Sequence, residues 1–125
     1  MHVEFMKEAY GLLYEIENLL REEIETIMIR KYGIGWMIKA PTLNKYKPLV
    51  KRDIHEFYLH ELISLASSYD CINSSSASTL KKLRNITSIR NKIAHSKPIQ
   101  QEEFYLLQEV YHELKGIFSH EQILV

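Results

Sequence analysis

The chain has 125 residues, with 16 lysines and arginines against 16 aspartates and glutamates, so its formal net charge is zero. That length suits a single domain, 1–125, because two would each fall below the usual size. An apolar share of 46% beside 26% charged residues argues against disorder, and a neutral total excludes a bulk polycation.

The first predicted element carries Phe5, Ala9, Leu12, Leu13, Ile16, Leu19, Leu20, Ile24, Ile27 and Met28. Steps of three and four residues make it an amphipathic helix. Gly33 is placed to end it in the left-handed conformation after Tyr32. Residues 33–48, with two glycines, Pro41 and Pro48, read as a long ordered loop whose Trp36 packs back onto the bundle. Pro48 suits the first turn of a second helix carrying Val50, Ile54, Phe57, Tyr58, Leu62, Ile63 and Ala66. Asp70 to Ser78, rich in serine and asparagine, reads as a connection. Ser78 or Thr79 then caps a third helix with Leu80, Leu83, Ile86, Ile89 and Ile93, which Pro98 ends. The fourth helix starts near Gln101 and carries Phe104, Leu107, Val110, Tyr111, Leu114, Ile117 and Phe118. No run of alternating β-branched residues competes. The expected fold is all-α, an up-and-down four-helix bundle with a long loop between helices 1 and 2.

Compartment follows from what the sequence lacks. Cys71 is the single cysteine, which excludes an intramolecular disulfide and a cysteine-based zinc site. Neither a signal peptide nor a membrane-spanning apolar run is visible, so the expected location is cytoplasmic, away from membranes.

The zero net charge conceals blocks. Residues 26–52 hold seven bases and no acid, and residues 71–101 hold six bases (Lys81, Lys82, Arg84, Arg90, Lys92, Lys97) and no acid. The remaining segments are mainly acidic. Such blocks suit an anion-binding face on a neutral body; alternatively, acidic and basic segments pair with one another on the surface.

Helix three holds the informative stretch, Ser88-Ile89-Arg90-Asn91-Lys92-Ile93-Ala94-His95-Ser96. At about 100° per residue, Ile86, Ile89 and Ile93 share one face. Arg84, Ser88, Asn91 and His95 line the opposite one, and Arg90 projects from the flank. Histidine titrates near neutral pH and can move a proton, while arginine offers a permanently charged fork to a phosphate gathering negative charge. Asn91, one turn before His95, can orient the ring or hold a phosphate oxygen. RNA supplies its own nucleophile, the 2′-OH, so no metal or other cofactor is required. The plain alternative is a solvated face ending in a histidine near a helix C-terminus.

Arg90-Asn91-Lys92-Ile93-Ala94-His95 resembles the signature of the HEPN superfamily: arginine, a polar residue, three more residues, then histidine, at the end of the third main helix of a small bundle. Tyr14 to Arg21 and Tyr32 to Trp36 also resemble stand-alone HEPN domains of bacterial defence systems. The resemblance implies a metal-independent endoribonuclease, acting as a homodimer through helix 3 with both Arg–His pairs facing across a groove. Carried over by position, Arg90 stabilises the attacked phosphate, His95 transfers protons or positions substrate, and Asn91 is the usual polar residue. Lys81, Lys82, Arg84, Ser88, Lys92 and Lys97 are the expected RNA-binding residues. A toxin or antiviral effector is the implied role, with tRNA or another cellular or phage RNA as target and an antitoxin or regulatory protein as possible partner. The alternative is a non-catalytic module binding RNA, a nucleotide or a partner protein.

Other constellations are weaker. His55 and His60 stand five apart, about 140° around a helix, so one metal does not easily reach both. Glu109-Val110-Tyr111-His112 has no second Glu-x-x-His to complete a di-iron site. Glu17 and Arg21 have ion-pair spacing, with Arg21 alternatively approaching the helix-three groove. Tyr10, Tyr14, Tyr58, Tyr105 and Tyr111 suit core or interface packing, whereas Tyr32 and Tyr46 beside basic residues are better placed for RNA.

Overall fold

The apolar rhythm of the N-terminal segment produces helix α1, His2–Tyr32, in a computed structural model that describes residues 2–36 and 57–124, with side chains at 3–36, 57–69 and 78–116. Ala9, Leu13, Ile16, Leu20, Ile24, Ile27 and Met28 form its buried stripe. The helix ends as the sequence predicts. Gly33 has φ 89, and its amide donates to the Ile29 carbonyl at 2.7 Å. That left-handed position is open to glycine without a Cβ penalty. Trp36 follows, 2% exposed, and joins the core. The rest of the expected loop and residues 48–56 of the expected second helix lie outside the described residues.

Helix α2 spans Leu59–Ser68, so the predicted second helix is corrected at Phe57 and Tyr58. Tyr58 is extended (φ −79, ψ 165), and its amide donates to Glu61 Oε1 at 3.0 Å. Glu61 thereby occupies an N–H that the first turn leaves without an intrahelical partner. Phe57 is buried although it is not helical.

The larger correction concerns Asp70 to Ser78. This stretch is helix, the first part of α3, Asp70–Ala94. The only break from α2 is Tyr69, at φ −121, ψ 125 and with a buried side chain. Serine and asparagine are weak helix breakers, each costing roughly half a kcal/mol against alanine, and adding turns to an existing helix is easier than starting one. Thr79, expected as a cap, is buried in the helix interior.

At its other end α3 stops before Pro98 acts. His95 is the C-cap, and Ser96 takes a left-handed φ of 57. The Ser96 amide donates to the Ile93 carbonyl at 3.1 Å and the Lys97 amide to the Lys92 carbonyl at 2.8 Å. These two bonds are a Schellman closure, with serine where glycine is usual.

Helix α4, Gln101–Leu124, starts where the sequence predicts and buries Phe104, Leu107, Val110 and Leu114. Ile117 and Phe118 fall within it, but their side chains lie outside the described residues. Helix α1 packs on all three others, α2 packs on α3, and α3 packs on α4. The architecture is an all-α four-helix bundle, with no strand among the described residues. Among those residues no helix is long and apolar enough to cross a membrane.

The left-handed conformation costs an L-residue roughly 1–2 kcal/mol, and glycine's greater freedom in the unfolded chain returns roughly 0.5–1. Ser96→Gly is therefore expected to raise stability by about 0.5–1 kcal/mol. An equilibrium urea titration would show a higher midpoint at unchanged slope.

Candidate functional site

Helix α3 presents two faces, as its spacing requires. Ile86 and Ile89 are buried and Ile93 is half-buried, while Lys81, Arg84, Ser88, Asn91 and His95 are exposed. The polar row read from the sequence is thus a continuous exposed strip along α3.

The cations divide. Lys82 Nζ donates to Glu113 Oε1 at 2.6 Å and to Glu109 Oε1 at 3.0 Å, both on α4. The ammonium's hydrogen bonds to these two carboxylates hold it above the usual lysine range. Lys92 Nζ donates to Glu103 Oε2 at 2.8 Å. Surface pairing of acidic with basic segments therefore accounts for these two lysines. Arg84 donates to Ser67 Oγ at 2.7 Å, and Ser88 Oγ makes only a long contact, 3.4 Å, with the Asn85 carbonyl. Lys81 and Lys97 are exposed.

Arg90 has a different setting. Its guanidinium lies over the Tyr58 ring, 5.9 Å from the centroid. The Tyr58 ring runs nearly parallel to that of His60, with centroids 6.2 Å apart at an interplanar angle of 9°. On α1, Arg21 Nη2 donates to the Phe57 carbonyl at 2.7 Å, and Nη1 donates to Asn18 Oδ1 at 3.1 Å. Arg21 also pairs with Glu17 at 3.8 Å. The i, i+4 spacing puts Glu17 and Arg21 on one side of α1, and the non-helical Phe57 offers its carbonyl to that side. Burial pushes the Glu17 carboxyl above the usual glutamate range, although Arg21 and Arg90 pull the other way. Arg21, Glu17, Arg90 and Tyr58 thus form one cluster joining α1, the start of α2 and α3.

His95 is exposed at the end of α3, its amide bonded to the Asn91 carbonyl at 3.1 Å. No hydrogen bond or ring contact joins His95 to Arg90 among the described residues. Five residues turn the helix through about 140°, so one copy of α3 displays the two side chains in different directions. Beside this end of α3 lies an open apolar groove of about 670 Å³, walled by Val3, Met6 and Tyr10 of α1 and by Ile93 and Pro98.

The tyrosines sort themselves. Tyr10, Tyr14, Tyr58 and Tyr105 are exposed and contribute nothing to the core of a single chain, whereas Tyr111 is half-buried. Tyr32 is partly buried, its ring edge-on to Tyr69 at 6.1 Å. Tyr46 and His55 lie outside the described residues. Glu109 is taken by Lys82 and His112 is exposed. Among the described residues no three potential ligands cluster to hold a metal ion.

Sequence reasoning missed Tyr58, His60 and Glu17 as neighbours of the motif. One signal was present: Glu61 stands three residues after Tyr58, the spacing of a capping pair, which marks a helix start. No protein-family model, curated protein or solved structure matches the chain.

Glu103 provides a check on the α3–α4 corner. It accepts the Gln100 amide at 2.7 Å as well as Lys92. Burial works against its charge, but the bonds from Lys92 and Gln100 hold the carboxyl below the usual glutamate range. A carboxyl with a depressed folded-state pKa stabilises the fold above its unfolded value and loses that contribution as pH falls through the folded one. Glu103→Ala is expected to cost about 1 kcal/mol at neutral pH, as lost caps do. Denaturation at neutral and acid pH would show the difference shrinking as pH falls below the ordinary glutamate value of 4.5.

Proposed function

We propose that the chain is a metal-independent endoribonuclease of the HEPN type, working as a homodimer in toxin or antiviral-defence biology. The observation that carries this reading is the exposed Arg84–Ser88–Asn91–His95 strip with Arg90 standing at its flank on Tyr58. A row of polar and cationic groups opposite the apolar stripe does nothing for the core of one chain. It suits a groove that takes an anion.

In the proposed reaction the RNA 2′-OH attacks the adjacent phosphorus as its proton leaves, and the 5′-oxygen departs with a proton gained. His95 serves in this proton transfer, and Arg90 neutralises charge on the phosphate oxygens. Asn91 holds a phosphate oxygen or the ring. The products are a 2′,3′-cyclic phosphate and a 5′-hydroxyl. Since Arg90 and His95 diverge on one α3, the second copy is what completes the pair. Support for a second copy comes from the apolar groove beside the motif and from exposed Val3, Tyr10 and Tyr14 on the α1 surface. Lys81, Arg84, Ser88 and Lys97 are the remaining candidates for the RNA backbone, since Lys82 and Lys92 bond to α4. Transfer RNA or another cellular or phage RNA is the proposed target, an antitoxin or regulatory protein the proposed restraint, and the cytoplasm the proposed location.

Incubation with total RNA in EDTA tests the reading. Wild type is expected to leave cyclic-phosphate ends, and Arg90→Ala and His95→Ala are expected to lose at least a hundredfold in rate while keeping their helicity, the scale of a removed acid–base group. Undiminished cleavage by either variant would sink the site assignment. Salt-sensitive RNA binding without cleavage by wild type would establish the non-catalytic alternative instead.

A further inference from the structure

Tyr58 is a large aromatic residue that the fold of one chain does not require. It is the N-cap of α2, a position that favours serine, threonine, aspartate or asparagine. Phe57 and Leu59 on either side are each 1% exposed, whereas Tyr58 is 58% exposed. An extended residue between two buried neighbours sends its side chain the opposite way, out to solvent. Its backbone is held at both ends: the amide donates to Glu61 Oε1, and the carbonyl accepts the Leu62 amide at 2.9 Å. The ring is therefore displayed from an anchored helix start.

The neighbours of the ring indicate what it takes. The Arg90 guanidinium stands 5.9 Å from its centre, within cation–π range, and the His60 ring lies within 9° of parallel to it. A planar group laid flat on one ring is thus nearly parallel to the other. Exposed Tyr10, Tyr14 and Tyr105 have no arginine or second ring set against them among the described residues. Tyr111 has similar company, with Lys115 at 5.6 Å and the His112 ring, but it is half-buried and the two rings are tilted by 58°. Its cleft also contains Glu15 and Glu22, which repel a phosphate. At Tyr58, an open ring and a guanidinium occur together.

We infer that Tyr58, flanked by His60, is a stacking platform for an unpaired RNA base whose phosphate is held by Arg90. This rests on Arg90 being an RNA ligand, and it adds a base subsite beside that residue. A nucleotide carries its base and its phosphate on one sugar, so a ring and a cation set against each other can engage both. The guanidinium offers its N–H donors to the phosphate oxygens, and the ring offers its face to the base. Every base has such a face, so the platform accepts any of the four.

The test uses the full chain and a short dye-labelled 2′-O-methyl RNA, which has no free 2′-OH and is not cleaved. A second oligomer has the same backbone with its bases removed, and binding of both is followed by anisotropy at low salt. Tyr58→Leu is expected to bind the intact oligomer roughly five- to 150-fold more weakly than wild type, the scale of one stacked base. It is expected to bind the abasic oligomer as wild type does. Tyr58→Phe, which keeps the ring, is expected to match wild type on both, and Arg90→Ala to weaken both. An oligomer containing 2-aminopurine supplies a second readout: its emission, quenched by stacking in wild type, is expected to recover in saturated Tyr58→Leu. Equal binding of the intact oligomer by Tyr58→Leu and wild type, where Arg90→Ala weakens it, would overturn the platform alone. Equal losses on both oligomers in Tyr58→Leu would also overturn it, since the ring would then act through Arg90 or through pairing of two chains. Absence of binding by wild type would overturn the RNA reading and the platform with it.

Discussion

Everything in the bundle depends on one face of α1. Ala9, Leu13, Ile16, Leu20, Ile24 and Met28 are the stripe on which the other three helices converge, and Ile16, Ile24 and Met28 have no exposed surface at all. Burying such a side chain contributes roughly 1.5–3 kcal/mol, more than any surface pair described above. That stripe fixes the rotation of α1 about its axis. The rotation in turn brings Glu17 and Arg21, next to the stripe, up to Phe57 and into the field of Arg90. The candidate site is therefore a by-product of core packing: residues one step off the seam meet where three elements come together.

The same logic explains the use of charge on α3. Its Ile86–Ile89 face points inward, Lys82 and Lys92 on the shoulders reach the carboxylates of α4, and Lys81, Arg84 and His95 are left outward. The acid-free run in the sequence is thus not one basic patch. Part of it is balanced at the α3–α4 seam, and part is not.

Much of the fold was legible because burial leaves a period in the sequence. The stop of α1 at Gly33 and the start of α4 at Gln101 could be read from residue chemistry. The Asp70–Ser78 stretch could not, because composition marks a turn only where the backbone needs one. Here the turn is the single residue Tyr69, which is neither glycine nor proline. Pro98 also misled: Ser96 had already ended the helix by taking a conformation that its residue type does not advertise. At the site, the strip from Arg84 to His95 followed from helix geometry alone. The environment of Arg90 did not, since Tyr58, Glu17 and Arg21 are 32, 73 and 69 positions away in the chain. Nothing in one helix's spacing reports what another helix sets against it.

Lys82 carries a consequence for the molecule's long-range behaviour. By answering both Glu109 and Glu113 it turns three charges into a local group of net minus one on one side of α3, while the strip from Lys81 to His95 faces elsewhere. A neutral chain arranged in this way has no monopole with which to draw a polyanion from a distance. What it has is a dipolar field, which falls off faster and, at about 10 Å screening in ordinary salt, acts only on near approach. Such a field turns a partner more than it pulls one, so encounter would be governed by orientation at contact and not by capture from solution.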